Sequence, residues 1–271
     1  MFDLDAYLAR IGYHGPRAPT LALLRDLTAA HTQAVPFENL DVLLGQRIDL
    51  EVDAIFDKLV RRRRGGYCFE QNGLFLHVLT QLGFEARPLS ARVRLDRSRD
   101  HIPARTHLLV RVELDGQSWL TDVGVGALSL TAPLRLEPDA VQETPHETRR
   151  LVREGNRWFH QARLGDAWID VCELTGEEMP PIDREVANWF TSTHPASHFR
   201  NRLVAARAAP GGRRVTLLNR ELKLRDRDGR AETRAIDSPQ ALLAALAEHF
   251  GLQFPADTRF SAGATAVAWP T

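Results

Sequence analysis

The period of the hydrophobic pattern changes near Gly83, and this change constrains the fold more than any other feature of the sequence. Before it, apolar residues recur at helical spacing, so that Leu74, Val78 and Leu82 fall on one face. From Leu89 onward apolar and polar residues alternate, which is the period of a strand with one buried face. The sequence therefore predicts a group of helices followed by a sheet or barrel.

Three units are predicted along the chain. With 271 residues the chain exceeds the usual size of one domain. Residues 1–85 show helical patterns, with Thr20 as one N-cap. Residues 86–195 carry the alternating pattern of a sheet. Residues 196–271 begin in a polar linker, which starts near residue 190, and continue into strands and a helix capped by Ser238. This last region is interpreted as a small α/β unit.

Net charge and cysteine number limit the partners and the compartment. The chain has 35 basic and 35 acidic residues, so no overall field draws it to nucleic acid or to an anionic membrane. A small-molecule partner is expected instead. Two cysteines cannot form a disulfide framework, the acidic start lacks the pattern of a signal peptide, and no apolar run approaches the ~18 residues of a membrane-spanning helix. We therefore expect a soluble, cytoplasmic protein.

Cys68 is the residue best placed to act as a nucleophile. It follows Gly65 and Gly66 and directly precedes an apolar helix, whose free N–H groups and positive dipole end favour a thiolate. An ordinary thiol with a pKa of about 8.5 is only a few per cent ionised at neutral pH, and a neighbouring imidazolium favours ionisation further. A histidine is therefore expected close to Cys68.

The register of a predicted hairpin selects that histidine. Strands are predicted over residues 106–114 and 118–125, with Asp115-Gly116 between them. If these two residues form the turn, His107 and Asp122 lie diagonally on one face of the hairpin. Diagonal neighbours lie roughly 7 to 8 Å apart, a distance that an imidazole and a carboxylate can bridge by hydrogen bonding. The pattern thus predicts a base and the residue that orients it.

Two alternatives stay open at this point. A three-residue turn shifts the register by one and moves Asp122 to the opposite face from His107. Each residue by itself also has an ordinary explanation. Cysteines at helix starts are most often small buried apolar residues, and strand histidines usually belong to a partly buried core. Spacing alone does not bring Cys68 to the hairpin.

Several segments resemble the arylamine N-acetyltransferase family. The match is strongest in RGGYCFEQN, residues 64–72, and further motifs follow in the family's order and spacing. These motifs are VPFENLDVL, THLLV, TDVGVGA and WFTSTHPASHF, at residues 35–43, 106–110, 121–127 and 189–199. The similarity covers most of residues 1–200 and becomes loose after them.

The resemblance implies an α+β fold with a papain-like cysteine-enzyme core, in which a helical bundle is followed by a β-barrel and a small α/β lid domain. It also implies that Cys68, on the bundle, forms a catalytic triad with His107 and Asp122, on the barrel. Cys68 would take acetyl from acetyl-CoA as a thioester and pass it to an arylamine, arylhydrazine or arylhydroxylamine in a ping-pong cycle. His107 would manage the protons, and Asp122 would orient it.

The resemblance extends to contacts with coenzyme A. Gly124 and Gly126 match a family loop whose N–H groups approach the pyrophosphate. By itself their GxG pattern is weak evidence, because a tight turn at a strand end has the same pattern. Thr106 and Phe199 match positions near the pantetheine. These four residues are therefore the predicted cosubstrate contacts.

Other matches concern the acceptor and the stability of the site. Phe37, Val93 and Val125 fall where the family lines its acceptor pocket, although Val125 is smaller than the aromatic residue that many bacterial members carry there. Acceptor preference is therefore left open. Glu38 and Arg64 match a family ion pair that ties the first helices to the catalytic loop, which indicates a structural role.

Two further signals are weaker. His194 and His198 have the spacing of zinc ligands on a helix, but the glutamate of a metalloprotease motif is absent and Pro195 follows the first histidine. No metal is therefore expected. Cys172 lies on a predicted strand without an evident charged activator, which indicates a packed core thiol.

Other functions are compatible with parts of this pattern. A cysteine hydrolase or amide synthase on the same fold would keep the triad and use water or a carrier-bound acyl chain, and a requirement for coenzyme A discriminates against both. A non-catalytic binding protein would keep the fold, but the intact triad argues against it. The physiological acceptor, the preferred acyl chain and the oligomeric state do not follow from the sequence.

Overall fold

The computed structural model describes residues 1–95 and 97–260 and shows an α+β protein, as predicted. Its helices are α1 Leu4–Ile11, α2 Leu21–Ala34, α3 Leu40–Leu43, α4 Val52–Phe56 with a π-helical turn Asp57–Arg61, α5 Cys68–Gln81, α6 Pro181–Thr193, α7 His198–Asn201 and α8 Pro239–Phe250. Its strands are β1 Phe37–Glu38, β2 Glu85–Val93, β3 His107–Leu114, β4 Gln117–Thr121, β5 Leu134–Arg135, β6 Gln142–Glu143, β7 Thr148–Glu154, β8 Arg157–Leu164, β9 Ala167–Glu178, β10 Val204–Ala209, β11 Arg213–Leu218, β12 Glu221–Arg225 and β13 Ala231–Ala235. The last part of the predicted α/β unit, residues 261–271, lies outside the described residues.

The first helices bury their apolar faces in one core. Tyr7 of α1, Leu24 of α2 and the apolar face of α5 meet there, and Val110 of β3 belongs to the same core. Thr20 caps α2, as predicted, because its hydroxyl accepts the N–H of Leu23 at 3.2 Å. The helical bundle is therefore packed directly on the sheet that follows it.

The eight-stranded sheet is antiparallel and barrel-like, with the strand order β5-β4-β3-β2-β9-β8-β7-β6. Leu114 of β3 pairs with Gln117 of β4 across a two-residue turn. Both turn residues, Asp115 and Gly116, have positive φ, at 51° and 71°, which matches the twist of the flanking strands. The two-residue turn on which the predicted face of the hairpin depends is thus confirmed.

Strand β4 is shorter than predicted. It ends at Thr121, whereas the alternating pattern predicts a strand that continues to residue 125. Beyond Thr121 the chain folds back on itself, and the N–H of Leu130 donates to the carbonyl oxygen of Asp122 at 2.7 Å. A local hydrogen bond therefore replaces the strand pairing at this point.

A second sheet of five antiparallel strands has the order β1-β10-β11-β12-β13. Helix α8 packs on it, with Leu246 and Phe250 buried in the shared core. Helix α8 ends at Phe250, and the Ser238 hydroxyl caps its start, as predicted, by accepting the N–H of Ala241 at 3.1 Å. Strand β1 comes from the helical region, so the first and third predicted units share this sheet. The division into three units itself stays a prediction.

The region around residue 190 is helical, although the sequence predicts only a polar linker there. Helix α6 buries the polar residues Asn188 and Thr191. Its apolar residues Ile182, Val186 and Trp189 are each about 60% exposed. These three residues are four and three residues apart, which is helical spacing, so the sequence carried the period of α6 and the prediction of a linker missed it.

Glu147 joins the two sheets through a buried cluster of arginines. Its carboxylate accepts hydrogen bonds from Arg149, Arg214 and Arg225 at 2.7 Å each. Arg149 lies on β7 of the eight-stranded sheet, whereas Arg214 and Arg225 lie on β11 and β12 of the other. Burial raises the pKa of Glu147, but the surrounding guanidinium groups outweigh burial and hold it well below its usual range.

We expect Glu147→Ala to destabilise the protein by about 3 to 5 kcal/mol, because it leaves Arg149 and Arg214 buried without a counterion. Urea unfolding at neutral pH measures this change. Glu143→Ala is the matched control, since Glu143 is largely exposed and its ion pair with Arg227 is 3.9 Å long. The control should change the free energy of unfolding by less than about 1 kcal/mol. Equal effects of the two substitutions would contradict a structural role for the cluster.

Candidate active site

Cys68 is the first residue of α5, and the two glycines before it allow the chain to reach that position. A β-carbon on Gly65 would lie 2.0 Å from the carbonyl oxygen of Pro36, and one on Gly66 would lie 2.5 Å from Glu70 Oε2. Glu70 accepts the N–H of Tyr67 at 3.0 Å and thereby satisfies a donor at the helix start. The chain thus passes too close to its neighbours for any side chain at the two positions.

A buried cluster of charges supports this loop. Arg64 donates to Glu38 and to Asp41 at 2.7 Å each, which confirms the predicted ion pair of Glu38 and Arg64. Lys58 lies 2.8 Å from Asp41 and 2.6 Å from Glu70. Burial lowers the pKa of Lys58, but the surrounding carboxylates outweigh burial and raise it. The cluster joins the segment after β1, the π-helical turn and the start of α5.

His107 and Asp122 lie side by side at the ends of β3 and β4. His107 Nε2 is 2.7 Å from Asp122 Oδ2, and both side chains are almost completely buried. Burial lowers the pKa of His107, but the Asp122 carboxylate and its hydrogen bond, with a smaller contribution from Cys68, raise it from 6.5 to about 10. Burial raises the pKa of Asp122, but the His107 cation and three hydrogen bonds lower it from 3.8. The pair is therefore an imidazolium and a carboxylate at neutral pH.

The sulfur of Cys68 lies at this pair. Its S–H donates to the carbonyl oxygen of Thr106 at 3.6 Å, and Thr106 directly precedes His107. A hydrogen bond with the Cys68 side chain is among the causes that raise the pKa of His107. The structure thus brings together the three residues that the sequence predicted for one site, although Cys68 is separated from the hairpin by more than one predicted element.

Sequence reasoning missed two polar residues that surround the site. Asn72 lies one turn after Cys68 on α5 and donates to Asp122 Oδ1 at 2.8 Å. Tyr67 donates a short hydrogen bond to Asn188 of α6, whose amide in turn donates to the carbonyl oxygen of Ile48 at 3.1 Å. For Asn72 a signal was present in the sequence, since a polar residue one turn from a nucleophile faces the same side of the helix.

The two predicted cosubstrate glycines have internal partners for their N–H groups. Gly124 donates to Asp122 Oδ1 and Gly126 donates to Ser129 Oγ, each at 3.0 Å. A phosphate that bound either glycine N–H would have to share that hydrogen with the present acceptor, Asp122 Oδ1 or Ser129 Oγ. Gly124 also has a packing reason to lack a side chain, because a β-carbon there would lie 2.8 Å from Cys68 Cα. The predicted contacts with pyrophosphate stay a prediction.

The other predicted substrate residues fall into two groups. Phe37 and Phe199 lie with their ring centroids 5.8 Å apart and belong to the apolar cluster that contains Cys68. Val93 and Val125 pack together in a different apolar cluster, with Val171. Phe37 and Phe199 thus share an apolar cluster with Cys68, and the contacts of all four residues with substrates stay predictions.

A cleft of about 1090 Å³ lies elsewhere, between residues 45–52 and helix α6. Phe69 and Gly73 of α5 line it, but Cys68, His107 and Asp122 do not. We place the candidate active site at the reactive groups and not at this cleft. The reason is that among the residues lining the cleft we find no nucleophile with an adjacent base.

The weaker signals have ordinary explanations in the structure. His194 stacks on Phe190 with ring centroids 4.5 Å apart, and His198 Nε2 lies 3.0 Å from Arg97 Nη2. Among the described residues, no group of three or more histidines, cysteines or acids could hold a metal ion.

Cys172 is buried, and its sulfur lies 3.8 Å from His160 Nδ1. Burial raises the pKa of Cys172 and lowers that of His160 to about 3, so this second pair is neutral.

Within the described parts of the chain, no helix is both long and apolar enough to span a bilayer. The site is instead held between a helical bundle and a barrel-like sheet. A buried cysteine, histidine and aspartate that meet in such an α+β fold indicate the class of enzymes with a cysteine nucleophile.

Comparison with known proteins identifies the family of the chain. The N-acetyltransferase family model matches residues 20–259. An arylamine N-acetyltransferase of Mycolicibacterium smegmatis is 44% identical over 254 residues, which are 92% of each chain. The solved structure of the Mycobacterium marinum arylamine N-acetyltransferase has a TM-score of 0.89 at 43% identity and 92% coverage of each chain. The structure of that enzyme in complex with CoA has a TM-score of 0.88 at the same identity and coverage. The chain therefore belongs to the arylamine N-acetyltransferase family, a family of acyltransferases.

Proposed function

We propose that this protein moves an acetyl group from acetyl-CoA to an arylamine, arylhydrazine or arylhydroxylamine through a thioester on Cys68, in a ping-pong cycle. One observation carries the proposal: a sulfur, an imidazolium and a carboxylate meet in a buried site at Cys68, His107 and Asp122. Membership of the family and the likeness to a relative's complex with CoA support the choice of donor.

In the first half-reaction the Cys68 thiolate attacks the acetyl carbonyl carbon of acetyl-CoA. A carbon–sulfur bond to Cys68 forms while the bond to the CoA sulfur breaks, and the departing thiolate takes a proton from His107. Because Nε2 of His107 is hydrogen-bonded to Asp122, Nδ1 is the ring nitrogen that can exchange a proton with the reacting sulfur. The positive charge on His107 before the reaction stabilises the negative charge on the attacking sulfur.

In the second half-reaction the acceptor nitrogen or oxygen attacks the same carbonyl carbon. His107, now neutral, takes the proton that the acceptor loses, and Cys68 leaves as a thiolate beside the restored imidazolium. Asp122 stays ionised throughout and holds the ring in one orientation. Two successive reactions in one site thus avoid an encounter of three molecules.

The proposed substrate contacts follow from where the matched residues lie. The carbonyl oxygen of Thr106 contacts the sulfur and Phe199 packs against the apolar cluster of Cys68, so the pantetheine arm is proposed to pass between these two residues. Phe37 is proposed to contact the acceptor ring from the same side, and Val93 and Val125 to bound the pocket beyond it. Gly124 and Gly126 are the proposed positions nearest the pyrophosphate.

The proposed compartment is the reducing cytoplasm, supported by two cysteines that are both free thiols.

The test is the mass of the intact protein after brief incubation with acetyl-CoA in the absence of any acceptor, followed by acid quenching and peptide mapping. We expect one acetyl group per chain, located on Cys68, because the first half-reaction needs no acceptor. Addition of an arylamine or a hydrazine should remove the group and yield the acetylated acceptor.

Other outcomes have defined meanings. An acetyl group that disappears in buffer without acceptor indicates a hydrolase. Absence of an adduct with acetyl-CoA, together with labelling of Cys68 by a carrier-bound acyl chain, indicates an amide synthase. An adduct on Cys172 alone contradicts the proposed nucleophile.

A further inference from the structure

We infer that Asn72 is a positioning residue of the reaction, which holds the Asp122 carboxylate at His107 and fixes its distance from the helix that carries Cys68. The inference rests on the proposed function, since it assigns a role to Asn72 only through the three residues proposed there. The hydrogen bonds of the Asn72 side chain go to neither the sulfur nor the imidazole.

The Asn72 side chain is completely buried and makes three hydrogen bonds, one to β3 and two to the segment that directly follows β4. Its Nδ2 donates to Asp122 Oδ1 at 2.8 Å and to the carbonyl oxygen of Leu108 at 2.6 Å. Its Oδ1 accepts the N–H of Val123 at 2.9 Å. One amide thus contacts the residue after His107, the carboxylate of Asp122 and the residue after Asp122.

These partners allow only one orientation of the amide. If the oxygen and nitrogen exchanged places, the nitrogen would face the Val123 N–H, which is a donor like itself. The oxygen would then face the Leu108 carbonyl and the Asp122 carboxylate, which are acceptors. Both hydrogens of Asn72 are therefore committed, and one of them is always directed at Asp122.

The hydrogen bonds act where the helix and the hairpin are closest. A β-carbon on Gly124 would lie 2.8 Å from Cys68 Cα and 2.9 Å from Asn72 Nδ2. Gly124 also donates its N–H to Asp122 Oδ1, so this oxygen has two donors while Oδ2 is left for His107. Because the carboxylate is bound on its far side, it cannot rotate away from the imidazole.

The charge on Asp122 depends on the same contacts. Burial alone raises the pKa of Asp122, and His107 is the largest of the effects that lower it. The hydrogen bond from Asn72 acts in the same direction as that of His107. Loss of this hydrogen bond should weaken the carboxylate as a partner for the imidazolium and so disfavour the thiolate on Cys68.

The test is the rate of Cys68 alkylation by iodoacetamide as a function of pH, followed by peptide mapping, which requires neither acetyl-CoA nor an acceptor. The wild-type profile of alkylation rate against pH is the reference for the variants. In Asn72→Ala the pH of half-maximal reactivity should rise by about one to two units, the change expected when a hydrogen bond to a charged group is lost. Asn72→Leu, which fills a similar volume without donors, should show the same shift and serves if the alanine variant does not fold.

Gln71→Leu is the matched control. Gln71 is the next residue on α5, is equally buried and also makes hydrogen bonds, but its partners are Gly66 and His31 and not Asp122. It should lower stability without moving the pH of half-maximal reactivity. In addition, Asn72→Ala should have no further effect on that pH in an Asp122→Asn background, since the contact it removes acts through the carboxylate.

A wild-type pH profile in both Asn72 variants, or an equal shift in Gln71→Leu, would overturn the inference and leave Asn72 a structural residue. A wild-type protein that lacks a reactive thiolate below neutral pH would instead contradict the proposed ion pair of Cys68 and His107. The two failures are therefore distinguishable in one experiment.

Discussion

Cys68→Ala should abolish acetyl transfer and also remove the acetyl-enzyme seen by mass spectrometry. The reaction proposed here has no other nucleophile, because the two cysteines of the chain lie in opposite environments. Cys68 adjoins an imidazolium, whereas Cys172 adjoins His160, whose pKa is lowered to about 3 and which is therefore neutral. Burial also raises the pKa of Cys172 well above its usual value. The sulfur of Cys172 consequently stays a protonated thiol and cannot replace Cys68.

The control for this prediction is Cys172→Ala, which should retain the acetyl-enzyme and most of the activity. Both variants should be compared by steady-state assay with acetyl-CoA and an arylamine, and by intact mass without the arylamine. Circular dichroism verifies that each variant is folded. Substantial turnover by Cys68→Ala would falsify the thioester mechanism, whatever the behaviour of Cys172→Ala.

Asp122→Asn should leave a folded protein in which acetylation of Cys68 is slower by a factor on the order of 10³ to 10⁴. In the wild-type protein Asp122 Oδ1 accepts the N–H groups of Asn72 and Gly124. Because both partners are donors, the amide oxygen of the substituted side chain should occupy the position of Oδ1. Its NH₂ group then faces His107 and donates to Nε2. The proton of the ring is thereby forced onto Nδ1, which can no longer accept the proton of the Cys68 thiol, so the attacking sulfur stays protonated.

The same substitution should change how stability depends on pH. The pKa of His107 is raised in the folded state from 6.5 to about 10. The stability that this shift contributes is fully present below pH 6.5 and is lost as the pH rises through about 10. The pKa of Asp122 is lowered from 3.8, so its contribution is present above pH 3.8 and is lost as the pH falls through the folded value.

Urea unfolding at neutral pH and near pH 10 tests this expectation. The wild-type protein should lose stability over that interval, and Asp122→Asn should lose much less, because its His107 no longer has a carboxylate partner. Stopped-flow measurement of the acetylation rate supplies the kinetic part. An unchanged rate in Asp122→Asn, or the same slope of stability against pH in both proteins, would show that the pair does not act as described.

Local features of the fold could be predicted because they depend on neighbouring residues. The hydroxyls of Thr20 and Ser238 cap helices a few residues away, and the two-residue turn at Asp115-Gly116 sets the register of β3 and β4. This register brings His107 and Asp122 to the same end of the hairpin, although β4 ends one residue before Asp122. Helix α6 was missed although its apolar residues Ile182, Val186 and Trp189 have helical spacing; which of its faces is buried was decided by tertiary packing.

The sequence by itself thus determined the order of helices and strands, the helix start at Cys68 and the pairing of His107 with Asp122. Only the tertiary structure decided that Cys68 reaches this pair, that Asn72 holds the carboxylate and that Glu147 joins the two sheets. The physical reason is the range of the interactions. Periodicity, capping and turns act within a few residues, whereas these contacts join distant segments and depend on how closely whole elements pack. At Gly124 the closeness of that packing can be measured, since a single added carbon would collide with the backbone of Cys68.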